Sequence, residues 1–233
     1  MADDRVMIIT GASRGIGKHL VKHYVAGGFQ VIGCSRQPSD LESNNYQHYR
    51  LDVADEPAVK KMFSDVRKEY GGLDILINNA GIGSTNPAML TPMASLQNVF
   101  NTNVAGTFLF CKEAARLMRK RGNGRIINFA SMATPLKLEG ESVYASSKAA
   151  VVSLTQVLAR ELAELGITVN AVGPPTIKTD FMEDATEEQI QNLLDRHAIK
   201  RLGQYSDVSN VTDFFIRPES GMVTGEVIYL GGL

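Results

Sequence analysis

The sequence predicts an α/β protein in which one parallel β-sheet is covered by helices on both of its faces. Short apolar runs with strand character alternate along the chain with longer segments of helical periodicity, as in a parallel sheet with helical crossovers. The length of 233 residues, 44% of them hydrophobic, suits one well-buried domain and is too short for two separate ones. We therefore expect a single domain over residues 1–233.

The first predicted strand, residues 6–10, runs directly into a glycine-rich turn, and a helix over about 16–26 follows. Glycines in such a turn let backbone N–H groups approach a phosphate closely, and the start of the helix adds a favourable dipole. A dinucleotide is therefore the expected ligand. The same stretch also fits the G-x-S-x-G nucleophile elbow of hydrolases through Gly11, Ser13 and Gly15, and such a turn can serve tight packing alone.

Two arginines indicate which dinucleotide would bind. The second predicted strand, 30–34, is followed by Ser35 and Arg36, and Arg14 lies in the glycine turn. An acidic residue after this strand would hold a ribose 2′-hydroxyl, whereas an arginine suits a 2′-phosphate. Because guanidinium groups pair well with phosphate and no carboxylate is present here, the pattern favours NADP(H) over NAD(H). The alternative is that both arginines are simply solvated.

The remaining elements continue the alternation. We expect further strands at 49–53, 73–77, 125–130, 167–172 and 226–230, and further helices at 56–70, 92–121, 142–165 and 207–216. Asp55 would cap the helix at 56, and Thr91 would cap the next one with Pro92 at its first position. Thr186 and Gln189 form a capping box for a short amphipathic helix.

Polar residues occur at places where a parallel sheet binds ligands. The sequence Asn78 to Gly81 follows the fourth predicted strand, and Ser131 follows the fifth, so both lie at carboxyl ends. Tyr144 and Lys148 are four residues apart on a predicted helix and therefore share one face. Asn103 interrupts an apolar helical stretch, where by default it is a hydrogen-bonded core asparagine.

These motifs together resemble the short-chain dehydrogenase/reductase superfamily over nearly the whole chain. The matching stretches, in order, are TGASRGIG at 10–17, NNAG at 78–81, NTNVAG at 101–106, Ser131, and YASSK at 144–148, with Ser131 thirteen residues before Tyr144. The resemblance implies a seven-stranded, doubly wound (Rossmann-type) sheet. It also implies a cofactor half at about 1–125, a catalytic half at about 126–233 and a lid at about 180–200.

The resemblance implies roles for individual residues. Asn103, Ser131, Tyr144 and Lys148 would form the catalytic tetrad. The cofactor would contact Gly11, Ser13, Arg14, Gly15, Ile16, Gly17, Ser35, Arg36, Asp52, Val53, Asn79, Ala80, Gly81, Tyr144, Lys148, Pro174, Ile177 and Thr179.

The chemistry of carbonyl reduction suits these residue types. Hydride transfer to a ketone leaves negative charge on oxygen, which needs a proton, and Tyr144 would donate it. Lowering a tyrosine pKa from about 10 to about 7 takes roughly 4 kcal/mol, which one cation about 4 Å away supplies at an effective dielectric of about 20. Lys148 is the expected cation, Ser131 would hydrogen-bond the substrate oxygen, and Asn103 would hold a water that links Lys148 to solvent.

Within the superfamily, three stretches are most similar to the β-ketoacyl-(acyl carrier protein) reductase branch: ITVNAV at 167–172, RLGQ at 201–204 and TGEVIYLGG at 224–232. This similarity implies an acyl-thioester or other small-molecule carbonyl substrate, with acyl carrier protein as a partner. Two other functions stay open: an NADP(H)-binding sensor or scaffold without turnover, and an alcohol or sugar dehydrogenase that works in the oxidative direction.

Composition argues against several other classes of protein. A net charge of −1 and a pI near 6.4 give no electrostatic reason to expect nucleic acid or an anionic membrane surface. The two cysteines lie in apolar elements, so we expect neither disulfide nor metal, and no apolar stretch reaches membrane-spanning length. We expect a cytoplasmic protein. The two long helices resemble those that pair between subunits in the superfamily, which implies a homodimer or homotetramer.

Overall fold

A seven-stranded parallel sheet forms the centre of the computed structural model, which describes residues 5–177 and 186–232. The strand order is β3-β2-β1-β4-β5-β6-β7, and all neighbouring strands are parallel. The strands are β1 Val6–Thr10, β2 Gln30–Ser35, β3 Tyr46–Arg50, β4 Ile75–Asn78, β5 Gly124–Phe129, β6 Ile167–Gly173 and β7 Val227–Tyr229. The predicted doubly wound α/β fold is confirmed.

Helices cover both faces of the sheet. They are α1 Gly15–Ala26, α2 Glu56–Tyr70, α3 Met93–Phe100, α4 Thr107–Arg121, α5 Ala133–Leu136, α6 Ser142–Leu162, α7 Glu187–Leu194 and α8 Tyr205–Ile216. One core layer packs α2, α4 and α6 against the sheet, and the other packs α1 and α8. Ile8 of β1 points into the first layer, and Met7 and Ile9 point into the second, so this central strand is buried throughout.

The topology fixes where a ligand can bind. Strand order reverses between β1 and β4, because the chain adds β2 and β3 on one side of β1 and β4 to β7 on the other. The loops that leave these two strands therefore diverge, and a crevice opens at their carboxyl ends.

The third strand lies three residues earlier than the sequence predicts. The expected strand was 49–53, but β3 is Tyr46–Arg50, which pairs in parallel with Val31 to Ser35 of β2. The apolar residues Leu51 and Val53 suggested the wrong bounds: both are buried, but they follow the strand. β3 is an edge strand and its own residues are only partly buried, so hydrophobicity marks it poorly.

The prediction of one continuous helix over 92–121 is also wrong, because the chain does not stay α-helical through this range. The chain forms α3, then a π-helical segment over Asn101–Gly106, then α4. Pro92, not Thr91, stands at the cap position, and the Thr91 hydroxyl donates 3.0 Å to the carbonyl of Pro87, the residue before the 3-10 turn Ala88–Leu90. Hydrophobic periodicity does not distinguish a widened π turn from an α-helix, because the apolar face continues through it.

The other predicted bounds agree with the structure to within about two residues, except for the short α5, which the sequence analysis missed. The predicted helix over 142–165 is α6 followed by a 3-10 turn at Ala163–Leu165. Asp55 caps α2 as expected, accepting a 3.1 Å hydrogen bond from the Ala58 amide. Residues 178–185 of the expected lid and the side chain of Gln189, half of the expected capping box, lie outside the described residues.

Candidate functional site

A cavity of about 650 Å³ occupies the crevice at the carboxyl ends of the strands. Its walls come from the glycine turn after β1, the ends of β2, β4 and β5, the face of α6 and the segment after β6. The predicted site residues that line it are Gly11, Ser13, Arg14, Gly15, Ile16, Ser35, Arg36, Asp52, Val53, Asn79, Ala80, Gly81, Ser131, Tyr144, Lys148, Pro174 and Ile177. Gly17 and Asn103 do not line it, and Thr179 lies outside the described residues.

The glycine turn leaves the first amide groups of α1 facing the cavity. Gly11 and Gly15 adopt φ values of +69° and +52°, and no side chain caps the helix at Arg14. Backbone N–H groups at such a helix start are available to an anion such as a phosphate.

Gly17 belongs to this turn through packing and not through cavity contact. A Cβ at this position would lie only 2.1 Å from the Gly11 carbonyl oxygen. The Asn79 amide also crosses here, donating to the carbonyls of Thr10 at 3.0 Å and Gly11 at 3.3 Å. The NNAG segment therefore braces the glycine turn from the neighbouring strand.

The end of β2 carries no carboxylate. The Ser35 hydroxyl donates 2.6 Å to the Gln37 carbonyl, and Arg36 is exposed at the rim of the cavity. Asp52 also lines this end, where its carboxylate accepts a 2.9 Å hydrogen bond from the Ala54 amide.

Lys148 is the buried cation of the site. Its side chain is 4% exposed, and its ammonium group donates 2.7 Å to the carbonyl oxygen of Phe129, the last residue of β5. Burial lowers the pKa of Lys148 to about 8. Lysine with such a pKa can exchange a proton near neutral pH.

Tyr144 lies one helical turn before Lys148, and its hydroxyl is hydrogen-bonded to Ser131. The expected lowering of its pKa is not what the structure shows: burial raises the pKa of Tyr144, partly offset by the bond to Ser131, and the negative charge of Glu141 raises it further. Lys148 does not offset this rise: its ammonium lies 5.9 Å from the tyrosine ring centre and donates its hydrogen bond to the Phe129 carbonyl.

Asn103 lies behind the cavity wall, in the π-helical segment. Its side-chain oxygen accepts from the Ile82 amide at 2.9 Å, while its nitrogen donates to the Ile82 carbonyl at 2.9 Å and to the Ser147 hydroxyl at 3.0 Å. A Cβ at Gly81 would lie 3.3 Å from both the Asn103 oxygen and the Lys148 nitrogen, so Asn103 and Lys148 flank the same point.

Ser147 is a site residue that the sequence analysis missed. It is fully buried, and its hydroxyl accepts from Asn103 and donates 2.7 Å to the Tyr144 carbonyl. It thereby fixes α6 to the π-helical segment. Its position in YASSK, three residues after Tyr144 and next to Lys148, is the sequence feature that could have identified it as a site residue.

A nucleophile elbow at Ser13 would need a histidine as its base, and each histidine makes its contacts elsewhere. His19, His23 and His48 hydrogen-bond Ser209, Asp213 and Tyr46, and His197 packs against Gly231. Within residues 5–177 and 186–232 no group of three or more metal-ligating side chains comes together. Over the same ranges no helix is long and apolar enough to cross a membrane.

Comparison with known proteins gives consistent matches. The profile of the short chain dehydrogenase family matches residues 5–190. The 3-oxoacyl-(acyl-carrier-protein) reductase FabG of Vibrio cholerae is 33% identical over 236 residues, covering 99% of this chain and 97% of that protein. Two solved structures are similar: a short chain dehydrogenase from Leptospira borgpetersenii with bound NAD+, with a TM-score of 0.92, 29% identity and coverage of 99% and 92% of the two chains, and the aldohexose dehydrogenase of Thermoplasma acidophilum, with a TM-score of 0.91, 31% identity and coverage of 99% and 94%.

Proposed function

Because the chain belongs to the short chain dehydrogenase family of oxidoreductases, we propose that it reduces a carbonyl group to a secondary alcohol with NADP(H) as cofactor. The observation that supports this most is the arrangement of one cavity: the glycine turn and Arg36 lie at one end, and Ser131, Tyr144 and Lys148 lie at the other. A single ligand that spans the cavity would thus present its phosphates to α1 and its reactive end to the tyrosine.

The residues present fit a dinucleotide. The uncapped start of α1 offers amides to a pyrophosphate, and Gly17 leaves the space that lets the turn fold tightly beneath it. Arg14 and Arg36, together with the absence of a carboxylate at the end of β2, support a 2′-phosphate. We assign phosphate, ribose and nicotinamide contacts to the sixteen lining residues other than Ser131, with Gly17 as a packing residue. The nicotinamide cofactor supplies the hydride when bound.

In this proposal Tyr144 donates the proton. Its hydroxyl is hydrogen-bonded to Ser131, so a substrate oxygen that enters here would meet both hydroxyl groups. When the proton leaves, the phenolate that forms needs a nearby positive charge, and Lys148 is the cation on the same helix face. Asn103 fixes the backbone of Ile82 beside Lys148 and, through Ser147, the start of α6. We therefore give Asn103 a positioning role in the tetrad.

For the substrate we propose a 3-oxoacyl thioester, because the FabG relatives match the chain from end to end. Acyl carrier protein is then a candidate partner. The second candidate is a sugar or other alcohol oxidised in the reverse direction, which the similarity to an aldohexose dehydrogenase favours. Either reaction would take place in the cytoplasm, where NADP(H) is available.

The test is a steady-state assay of nicotinamide absorbance. Reduction of 3-oxoacyl thioesters with NADPH is compared with oxidation of aldohexoses with NADP+, in the wild type and in Tyr144→Phe. We expect turnover of the thioesters and its loss in Tyr144→Phe, with cofactor binding retained. Binding of cofactor without turnover of any substrate would instead support a sensor.

We also propose that the chain forms a homodimer or homotetramer through α3, α4 and α6. A groove along α3, the π-helical segment and α4 is lined by Leu96, Phe100, Val104 and Phe108. Phe108 and Val157 of α6 are each 49% exposed, which is a large apolar surface to leave in water. A second copy of the same face would bury it by two-fold symmetry.

A further inference from the structure

The adenosine end of the cavity differs from a usual α/β crossover because the connection between β2 and β3 is short. Ten residues join the two strands, and none of them is helical. In a right-handed crossover a helix would normally cover this face of the edge strand. Here the side chains of β3 contact the segment 35–37, which lines the cavity.

Alternate residues of β3 form a row beside this segment, and only the last of them, Arg50, is exposed. Tyr46, His48 and Arg50 are two apart and therefore point to one face of the sheet. The Tyr46 hydroxyl is 2.7 Å from His48 Nδ1, and His48 Nε2 lies 3.1 Å from the Ser35 hydroxyl and 3.0 Å from the Gln37 carbonyl. The row thus holds the segment 35–37 that ends β2.

Arg50 completes the row beside Arg36. Its Cα is paired in register with that of Ser35, and its Nε donates 3.0 Å to the Arg36 carbonyl. Its side chain is exposed, and no carboxylate in the described part of the chain pairs with Arg50 or Arg36. The acidic groups near this end are otherwise engaged: Asp40 pairs with Lys18 at 2.8 Å, and Asp52 accepts from Ala54.

We infer that Arg50 is a third cationic residue of the site that reads the 2′-phosphate and that it strengthens the preference for NADP(H). The inference rests on the proposed function, in which Arg14 and Arg36 recognise that phosphate. Arg50 anchors its Nε on the backbone of Arg36, which leaves the two terminal nitrogens of its guanidinium as donors. A phosphate dianion can accept from several guanidinium groups at once, and each added charge-assisted bond tightens binding.

The inference can be tested by measuring the binding of adenosine phosphates, without an assay of enzymatic activity. The protein is titrated calorimetrically with adenosine 2′,5′-bisphosphate and with adenosine 5′-monophosphate, which lacks only the 2′-phosphate. We expect Arg50→Gln to weaken bisphosphate binding about tenfold and to leave monophosphate binding within about twofold, as for loss of one hydrogen bond to a charged group. Arg50→Lys keeps the charge but loses the guanidinium geometry that anchors Arg50 on Arg36, so its bisphosphate affinity is expected between those of Arg50→Gln and wild type.

Arg119→Gln is the matched control, because it removes an equal charge from the exposed last turn of α4, where the chain enters β5 at the opposite end of the sheet. It should change neither affinity. If wild type prefers the bisphosphate but Arg50→Gln binds both ligands as wild type does, the inference is wrong and the proposed NADP(H) preference stands. An equal loss in Arg50→Lys and Arg50→Gln would likewise exclude a role for the charge. If wild type itself does not distinguish the two ligands, the proposed cofactor preference fails as well.

Discussion

The Lys148 ammonium donates a 2.7 Å hydrogen bond to the carbonyl oxygen of Phe129. This bond joins the N-terminal half of α6 to the last residue of β5, two residues before Ser131. Because Lys148 is 4% exposed, the bond holds a charge where water cannot solvate it well. Burying the charged lysine therefore lowers the free energy of unfolding by an amount that depends on pH.

The burial of Lys148 should make the free energy of unfolding increase with pH. Burial lowers its pKa from 10.5 to about 8, so between these pH values the unfolded chain binds more protons than the folded one. The stabilisation is complete above about pH 10.5 and is lost as the pH falls through about 8. The full cost at low pH is about 3 kcal/mol.

Urea unfolding of wild type and Lys148→Met isolates this effect, because methionine has similar length and no titrating group. The difference in unfolding free energy, wild type minus variant, is expected to rise by about 2 kcal/mol from about pH 7 to about pH 9.5. A difference that stays constant over this range would show that the lysine pKa is not lowered in the folded protein.

Ser147→Ala should uncouple Asn103 from α6. The substitution removes the acceptor 3.0 Å from the Asn103 nitrogen and the donor to the Tyr144 carbonyl. We expect a loss of about 1 to 2 kcal/mol in unfolding free energy, since buried polar partners are left unsatisfied. We also expect kcat to fall about tenfold because the tyrosine is less well positioned. Ser146→Ala is the control: the neighbouring serine is exposed, and its variant should match wild type in both measurements. Equal behaviour of the two variants would remove Ser147 from the site.

Two glycines of the first turn should respond differently to the same substitution. A Cβ at Gly17 would lie 2.1 Å from a backbone oxygen, so Gly17→Ala must displace the turn and is expected to cost about 3 kcal/mol. Gly15 has open space around it but φ of +52°, so Gly15→Ala is expected to cost only about 1 kcal/mol of backbone strain. Thermal unfolding of both variants measures the difference. If Gly17→Ala were the milder change, the packing role given to Gly17 would be wrong.

Much of the fold follows from sequence because its strands are buried on both faces. β1 and β6 consist entirely of buried residues, and such runs carry a clear hydrophobic signal. β3 was misplaced for the opposite reason, since an edge strand that contains Gln47, His48 and Arg50 resembles a loop in composition. That Ser131, Tyr144 and Lys148 line one cavity could be predicted because motif order and spacing carry that information.

The sequence does not predict the pKa values of the site side chains or their hydrogen-bond partners. The pKa of Tyr144 depends on its burial, on its hydrogen bond to Ser131 and on its distance from Lys148. The spacing of Tyr144 and Lys148 along the helix shows only that they share a face. The π-helical turn that places Asn103 against Ile82 is likewise a tertiary effect, because the bonds that Asn103 makes there join it to residues far away in the chain.

Phe108→Glu tests the proposed subunit contact. Phe108 is 49% exposed on α4 beside the apolar groove, so a carboxylate there would be buried without a partner whenever two copies meet on this face. We expect wild type to elute as a dimer or tetramer in size-exclusion chromatography with light scattering, and the variant to shift to smaller species. Met89→Glu is the control, since Met89 is 97% exposed but lies in the turn before α3 and not in the groove. Because Phe108 is half exposed and belongs to neither core layer, its variant should stay folded. An unchanged oligomer in Phe108→Glu would therefore place the interface on another face of the molecule.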